Sequence, residues 1–112
     1  MARNILIVED NPVARSFLCR VVRESFSDEI AITEAGDLES ARQQIGPLNE
    51  SQPVFEPFKL ILVDLELPDG NGLELLAEAK RVRPEMPVIL MTAFSSIETA
   101  VEAMKKGAYA YI

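Results

Sequence analysis

Apolar runs of strand length alternate along this chain with segments in which apolar residues recur at helical spacing. The strand-like runs occupy residues 4–8, 30–35, 59–63, 88–91 and 109–112. The run at 4–8 is almost continuously apolar, as expected for a strand that is buried on both faces, whereas 30–35 alternates like an edge strand. Alternation of strands with helices is typical of an α/β fold built on a parallel sheet.

Four helices are predicted between the strands, and their ends carry ordinary boundary residues. Pro12 opens the first helix, Asp37 is the N-cap of the second, and the third covers residues 71–83. Ser95 or Ser96 caps the fourth, which ends at Gly107. The residues expected to face the core are Val13, Phe17, Val21 and Val22; Leu38, Ala41 and Ile45; Leu73, Leu76, Ala77 and Val82; and Ile97, Ala100, Val101 and Met104.

Gly46 and Pro47 are expected to stop the second helix, and residues 47–58, with three prolines, are predicted to form a surface loop. A parallel sheet needs helices on both faces, so a fifth helix is expected on packing grounds. We therefore interpret residues 1–112 as one domain that lacks its last helix.

Composition narrows the classes of function. A chain of 112 residues is one domain, and its formal charge of −7 disfavours direct binding of nucleic acid by this segment. The absence of His excludes an imidazole base or ligand, and the single Cys19 suits a reducing cytoplasm. No apolar run approaches the roughly 18 residues of a membrane span.

Polar side chains stand where the predicted strands end. Glu9 and Asp10 follow the first strand, Asp64 follows the third and Thr92 follows the fourth. The carboxyl ends of parallel strands share one edge of a sheet, so these groups converge if their strands are neighbours. Crowded carboxylates repel one another, and hard oxygen ligands without sulfur or imidazole favour Mg²⁺. Any one of these acids could instead be an ordinary turn or cap residue, but the set favours a site.

The stretch Pro68-Asp69-Gly70-Asn71-Gly72 carries the chain sharply away from Asp64. Its two glycines are free to take positive φ, and the turn is expected to leave Asp64 uncovered. Such a turn sequence is typical of a β-hairpin. Because the next segment is helical, we do not expect a hairpin here.

Four stretches, in order, resemble the receiver domain of two-component response regulators. They are "ILIVEDN", "LILVDLELPDGNGLELL", "PVILMTAF" and "GAYAYI". The resemblance implies a doubly wound, flavodoxin- and CheY-like sheet of five parallel strands in the order 2-1-3-4-5.

The resemblance also implies site roles. Asp64 would accept a phosphoryl group from a sensor histidine kinase. Glu9, Asp10, Asp64 and the carbonyl of Glu66 would hold Mg²⁺. Thr92 and the N–H of Ala93 would bind the phosphoryl oxygens, and Tyr111 would be the aromatic residue whose burial follows Thr92. The family's lysine would lie two positions beyond Ile112, so the domain is expected to be cut short of it.

The segment "SSIETAVEAMKKGAYAYI" resembles receivers of NtrC-class transcriptional activators. This implies an output domain on the C-terminal side, with an ATPase module and a DNA-binding helix-turn-helix. The sequence leaves open whether the chain forms a homodimer. The resemblance implies a cytoplasmic switch that at most catalyses its own phosphorylation and dephosphorylation.

Two other functions are compatible with parts of the sequence. Asp64-Leu65-Glu66 faintly resembles the acid-x-acid motif of aspartate-nucleophile phosphohydrolases, although those enzymes usually place it on the first strand. The chain could also be a receiver-like interaction module that is never phosphorylated. The complete set of acids argues against that alternative, whereas the absence of the family's lysine from residues 1–112 argues for it.

Overall fold

The molecule is built around a central parallel sheet. The structure is a computed structural model, and it describes residues 3–25, 30–45, 58–91 and 97–111. Within these residues the strands are β1 (Arg3–Val8), β2 (Ile30–Ala35), β3 (Leu60–Asp64), β4 (Val88–Met91) and β5 (Ala110–Tyr111). They lie side by side in the order β2-β1-β3-β4-β5, and every pairing between them is parallel. The predicted fold class and strand order are confirmed, and β2 lies at the edge as expected.

Four helices connect the strands: α1 (Pro12–Ser25), α2 (Leu38–Ile45), α3 (Gly72–Val82) and α4 (Ile97–Lys105). Pro12 opens α1 as predicted, and Asn11 caps it by accepting hydrogen bonds from the N–H groups of Val13 and Ala14. Asp37 caps α2 through the N–H of Ser40. Gly107, at φ 98°, follows α4 in the left-handed conformation typical of a C-cap.

The sheet separates two hydrophobic clusters. One face packs against α2, α3 and α4 and contains the fully buried Leu6, Val63 and Leu76. The other face packs against α1 through Val22, Leu18 and Cys19. Neighbouring residues of β1 point to opposite clusters, which explains why this strand is apolar throughout.

Several residues that were predicted to face the core are exposed. Val13, Phe17 and Val21 of α1 are 78%, 56% and 40% exposed, so the helix packs on the sheet through a different stripe. Val101 and Met104 of α4 are exposed as well, and Ala103 is buried in their place. On α3, Ala77 is exposed, whereas Leu75 and Ala79 lie in the core beside Leu76.

The hairpin that we did not expect is present. Glu66–Leu67 pairs in antiparallel fashion with Gly70–Asn71, and α3 begins directly afterwards at Gly72. A two-residue ladder is short enough to fit between a strand and a helix, so a following helix does not exclude it. Of the two glycines in the turn, Gly70 has φ 157°, whereas Gly72 is not among the residues with positive φ.

Some predictions lie outside the described residues. These are Gly46-Pro47 and most of the 47–58 loop, the Ser95 or Ser96 cap, Thr92, Ala93 and Ile112. Phe58, the last residue of that loop, packs against the larger core cluster. In the described part of the chain, no helix has the length and apolar character needed to cross a membrane.

Candidate functional site

Three carboxylates meet at the carboxyl edge of the sheet. Glu9 and Asp10 follow β1, and Asp64 is the last residue of β3, which lies beside β1 in parallel register. One oxygen of each side chain lies within 4.8 Å of the others. The strand order therefore brings residues 54 positions apart in the sequence into one anionic cluster.

Glu9 lies deepest in this cluster and is only 9% exposed. Its Oε2 atom is buried and has no hydrogen-bond partner among the described residues. Burial, a hydrogen bond with Asp64 and the charges of Asp64 and Asp10 together raise the pKa of Glu9 to about 8. The metal-free cluster therefore retains a proton near neutral pH.

This donor set fits a hard divalent cation. Carboxylate oxygens are the preferred ligands of Mg²⁺ and Ca²⁺, and the buried Oε2 atom of Glu9 lacks the partner that buried polar atoms normally have. A cation would supply that partner and relieve the repulsion among the acids, while displacing the proton held by Glu9.

Arg15 is the cation next to the cluster. Its Nη1 donates to the carbonyl oxygen of Glu9 at 2.7 Å, and its Nε donates to Glu34 on the edge strand at 3.1 Å. The charge of Arg15 lowers the pKa of Glu9, against the larger effects that raise it. The Arg15 side chain is only 25% exposed, so it lies against the protein rather than extending into solvent.

The carboxylate of Asp64 is oriented by the backbone that follows it. The N–H of Glu66 donates to Asp64 Oδ1 at 3.1 Å, which limits rotation of the carboxylate. Gly72 packs directly against the carbonyl oxygen of Asp64, so closely that a Cβ atom at this position would clash with it. Glycine is thus required at position 72 by this close approach rather than by a positive φ.

The remaining predicted site residues are described to different degrees. Glu66 is exposed and starts the hairpin, two residues after Asp64. The backbone of Tyr111 lies in β5, next to β4, but its side chain is outside the described part. Thr92 and Ala93 are also outside it. Met91, the residue before Thr92, is the register partner of Asp64.

Sequence reasoning missed two residues near the site. Arg15 carried a weak signal, since it lies in the first turn of the helix that follows the acid pair. The sequence predicts Asp69 only as a turn residue, yet its carboxylate accepts hydrogen bonds from the first turn of α2. No local pattern could show this contact, because its partners lie about thirty residues earlier in the chain.

Comparisons with known proteins agree with this geometry. The model of the response regulator receiver domain family matches residues 5–112. The response regulator protein PilR of Pseudomonas aeruginosa is 36% identical over 110 residues, which cover 96% of this chain and 22% of PilR. The transcriptional regulatory protein ZraR of Escherichia coli strain K12 is 32% identical over 111 residues, covering 97% of this chain and 22% of ZraR. The chain thus spans about a fifth of the length of these relatives.

Solved structures show the same fold. A response regulator from Burkholderia pseudomallei, with a phosphorylated aspartic acid, calcium ion and citrate, is 31% identical with a TM-score of 0.79, covering 97% of this chain and 58% of that one. A CheY-like receiver domain protein from Methanospirillum hungatei is 33% identical with a TM-score of 0.75, covering 100% of this chain and 81% of that one. The sheet order, the acidic cluster and the family match lead to one conclusion: this chain belongs to the receiver domain family of two-component response regulators.

Proposed function

We propose that Asp64 accepts a phosphoryl group from a sensor histidine kinase in a Mg²⁺-dependent reaction. The observation that carries this proposal is the convergence of Glu9, Asp10 and Asp64 within 4.8 Å, with one buried carboxylate oxygen left without a partner. The phosphorylated aspartic acid and calcium ion of the Burkholderia pseudomallei structure support it by similarity.

The chain's own residues define the reaction. One oxygen of Asp64 forms the new bond to phosphorus as the bond from phosphorus to the kinase histidine nitrogen breaks, and the nitrogen leaves with that electron pair. The Glu66 N–H holds the other Asp64 oxygen and so orients the attack. Glu9, Asp10, Asp64 and the carbonyl of Glu66 would hold Mg²⁺, which would supply the positive charge that an incoming phosphoryl anion requires.

We further propose that Thr92 and Ala93 bind the phosphoryl oxygens and that Tyr111 follows Thr92 inward. The register supports this role, because Met91 is paired with Asp64 and its carbonyl accepts the N–H of Leu65 at 2.7 Å. The next residue along the chain is Thr92. A hydroxyl that moves toward a new anion is a small shift that the α4–β5 region could transmit.

The exposed stripe on α1 supports docking of a kinase. Val13 and Phe17 lie in the first two turns of α1, which follows the acid pair, and both are largely exposed, so an apolar surface begins three residues after Asp10. A partner helix that packs on this stripe would bring its phosphohistidine to Asp64.

A C-terminal output domain of transcriptional type, of the NtrC class, remains a proposal based on the names and lengths of PilR and ZraR.

The direct test is phosphorylation by a small phosphodonor. A protein extended past Ile112, where the resemblance places the family's lysine, is incubated with Mg²⁺ and acetyl phosphate, and its intact mass is measured. We expect a gain of one phosphoryl group in the wild type and in Glu24→Gln, an exposed acid on α1, but none in Asp64→Asn. Phosphoryl mass that persists in Asp64→Asn would contradict the assignment.

The phosphohydrolase alternative makes a different prediction. A receiver of this kind should release phosphate only as fast as its own aspartyl phosphate hydrolyses, whatever the donor. Phosphate release is followed with acetyl phosphate and with several phosphomonoesters. Sustained release from the phosphomonoesters, many equivalents per protein, would favour the enzyme and contradict the switch.

A further inference from the structure

The tip of the hairpin formed by residues 66–71 is fastened to the first turn of α2. Asp69, in the hairpin turn, accepts hydrogen bonds from the N–H of Leu38 at 2.8 Å and from the N–H of Glu39 at 3.0 Å, each through a different carboxylate oxygen. The first N–H groups of a helix have no partner within the helix. A residue from a distant loop therefore satisfies two of them at once.

This contact is more than ordinary helix capping, because α2 already has its own N-cap. Asp37 accepts a hydrogen bond from the N–H of Ser40 at 2.7 Å. The N–H of Leu38, followed by that of Glu39, lowers the pKa of Asp69, so the tie is a charge-assisted one. What Asp69 adds to Asp37 is a connection between α2 and the hairpin.

Packing at the hairpin tip reinforces this connection. A Cβ atom at Gly70 would clash with the Leu38 side chain and with a carboxylate oxygen of Glu74, so the hairpin backbone lies directly on both. Leu38 is fully buried, and the neighbouring Leu67 is part of the same core cluster. The tip is thus seated on α2 by apolar contact as well as by hydrogen bonds.

The opposite end of the hairpin is held through α3. Asn71 donates its N–H to Glu74 at 2.9 Å within a capping box. Glu74 and Glu78 both pair with Arg42 of α2, at 3.8 and 2.9 Å. The hairpin, α2 and α3 are therefore connected pairwise: the hairpin tip contacts α2, α2 pairs with α3, and α3 binds the other end of the hairpin.

The hairpin needs such support. Its ladder has only two residue pairs, Glu66 with Asn71 and Leu67 with Gly70, and an isolated ladder of this size has little stability in water. Yet its first residue, Glu66, orients the phosphoacceptor carboxylate through its N–H. Any movement of the hairpin would be transmitted to Asp64.

We propose that Asp69 is a positioning residue: by tying the hairpin to α2 it keeps the Glu66 backbone in register with the Asp64 carboxylate, and so maintains the metal site. Asp69 does not touch the cluster itself. This inference rests on the proposed function, since it assigns the fastening a role in binding the metal.

The chain offers a matched control for this proposal. Asp69→Ala and Asp37→Ala each remove an acceptor from the same N-terminus of α2, but only Asp69→Ala releases the hairpin. Both variants should lower the melting temperature, because each leaves helix N–H groups without a partner. A purely structural role would make the two variants equivalent in every other measurement.

Two measurements separate the variants. The first is hydrogen–deuterium exchange of peptides covering residues 64–72 in the metal-free protein. We expect exchange to accelerate roughly 5-fold or more in Asp69→Ala and to stay near the wild-type rate in Asp37→Ala. The second is a Mg²⁺ titration followed by thermal shift. The Kd for Mg²⁺ should rise about 10-fold in Asp69→Ala and remain unchanged in Asp37→Ala.

The outcomes decide the proposal even if one variant is too unstable to study. Asp69→Asn retains an acceptor oxygen without the charge, so its exchange and its Kd should fall between those of the wild type and Asp69→Ala. Equal exchange and equal Kd in the Asp69 and Asp37 variants would overturn the positioning role. A wild type that does not respond to Mg²⁺ would contradict the proposed function instead. In that case the exchange measurement in the metal-free protein would still test whether Asp69 holds the hairpin on α2.

Discussion

Glu9 is the residue whose chemistry most distinguishes this site. It is buried at the end of β1, one of its oxygens has no partner in the described chain, and its neighbours Asp64 and Asp10 are acids. The charge of Arg15, which lies against the Glu9 backbone, offsets only part of the rise in the pKa of Glu9. A carboxylate in such surroundings lowers the stability of the metal-free folded protein, and a bound cation would offset this loss.

Stability without metal should therefore depend on pH through Glu9. Its pKa is raised from 4.5 to about 8 in the folded state, so folding takes up a proton between these values. The contribution of the protonated group is complete below pH 4.5 and is lost as pH rises toward 8, by at most about 1.4 kcal/mol per pH unit. Urea unfolding in EDTA should give a lower free energy of unfolding at pH 8 than at pH 6.

Substitution of Glu9 checks the origin of this pH dependence. Glu9→Gln keeps the size of the side chain but cannot ionise, so its free energy of unfolding should vary less between pH 6 and 8. Glu24→Gln, on the exposed surface of α1, should behave like the wild type. An unchanged slope in Glu9→Gln would show that another group titrates.

Gly72 supports Asp64 by lacking a side chain. A methyl group here would meet the Asp64 carbonyl and the adjacent Leu65 backbone, which cannot move away as a flexible side chain can. We expect Gly72→Ala to lower the free energy of unfolding by about 1–3 kcal/mol. Thermal and urea unfolding measure this effect.

Gly36→Ala is the matched control for Gly72→Ala. A Cβ at Gly36 would have the end of the Arg15 side chain as its nearest neighbour, at 3.4 Å, an ordinary contact. This variant should be close to the wild type in stability. If both glycine variants lose the same amount, the close approach to Asp64 is not the cause.

At the scale of elements, periodicity predicted the five strands of the central sheet and the four helices of the described chain, but not the hairpin strands and not always the buried face. Helix α1 has two apolar stripes, one with Leu18, Cys19 and Val22, and one with Val13, Phe17 and Val21. Only the first packs against the sheet. Helical spacing identifies a stripe, but the direction in which the helix crosses the sheet decides which stripe is buried, and this depends on contacts far along the chain.

Truncations on α1 should reveal the two stripes. Val22→Ala removes buried methyl groups and should cost roughly 1–2 kcal/mol. Phe17→Ala deletes a much larger side chain, yet it should cost under about 1 kcal/mol because most of the ring is exposed. Urea unfolding of both variants compares the costs. A larger loss in Phe17→Ala would mean that the predicted inward face is correct after all.

At the scale of the whole molecule, the site arises from strand order. Acids that end β1 and β3 could be identified in the sequence, and parallel pairing of these strands brings them together. The ties around the cluster could not be predicted in the same way. Asp69 reaches α2, and Arg42 reaches α3, across about thirty residues or more, so both contacts depend on how complete elements pack.

Divalent cations should stabilise the whole fold. A ligand that binds only the folded state raises its stability, so Mg²⁺ should raise the melting temperature of the wild type. Because Asp10 is one of the three acids of the cluster, Asp10→Asn should show a clearly smaller rise. Differential scanning fluorimetry with increasing Mg²⁺ measures both. The same rise in both proteins would place the metal elsewhere.

The most direct test of the account is the location of a bound divalent ion. Mn²⁺, added in small amounts to the ¹⁵N-labelled protein, should broaden the amide signals of Glu9, Asp10 and residues 64–66, and should leave those of Met86 and Gly107, near the opposite edge of the sheet, sharp. Mg²⁺ in excess should restore the broadened signals. Uniform broadening, or broadening centred away from Asp64, would contradict the claim that Glu9, Asp10 and Asp64 form one metal site.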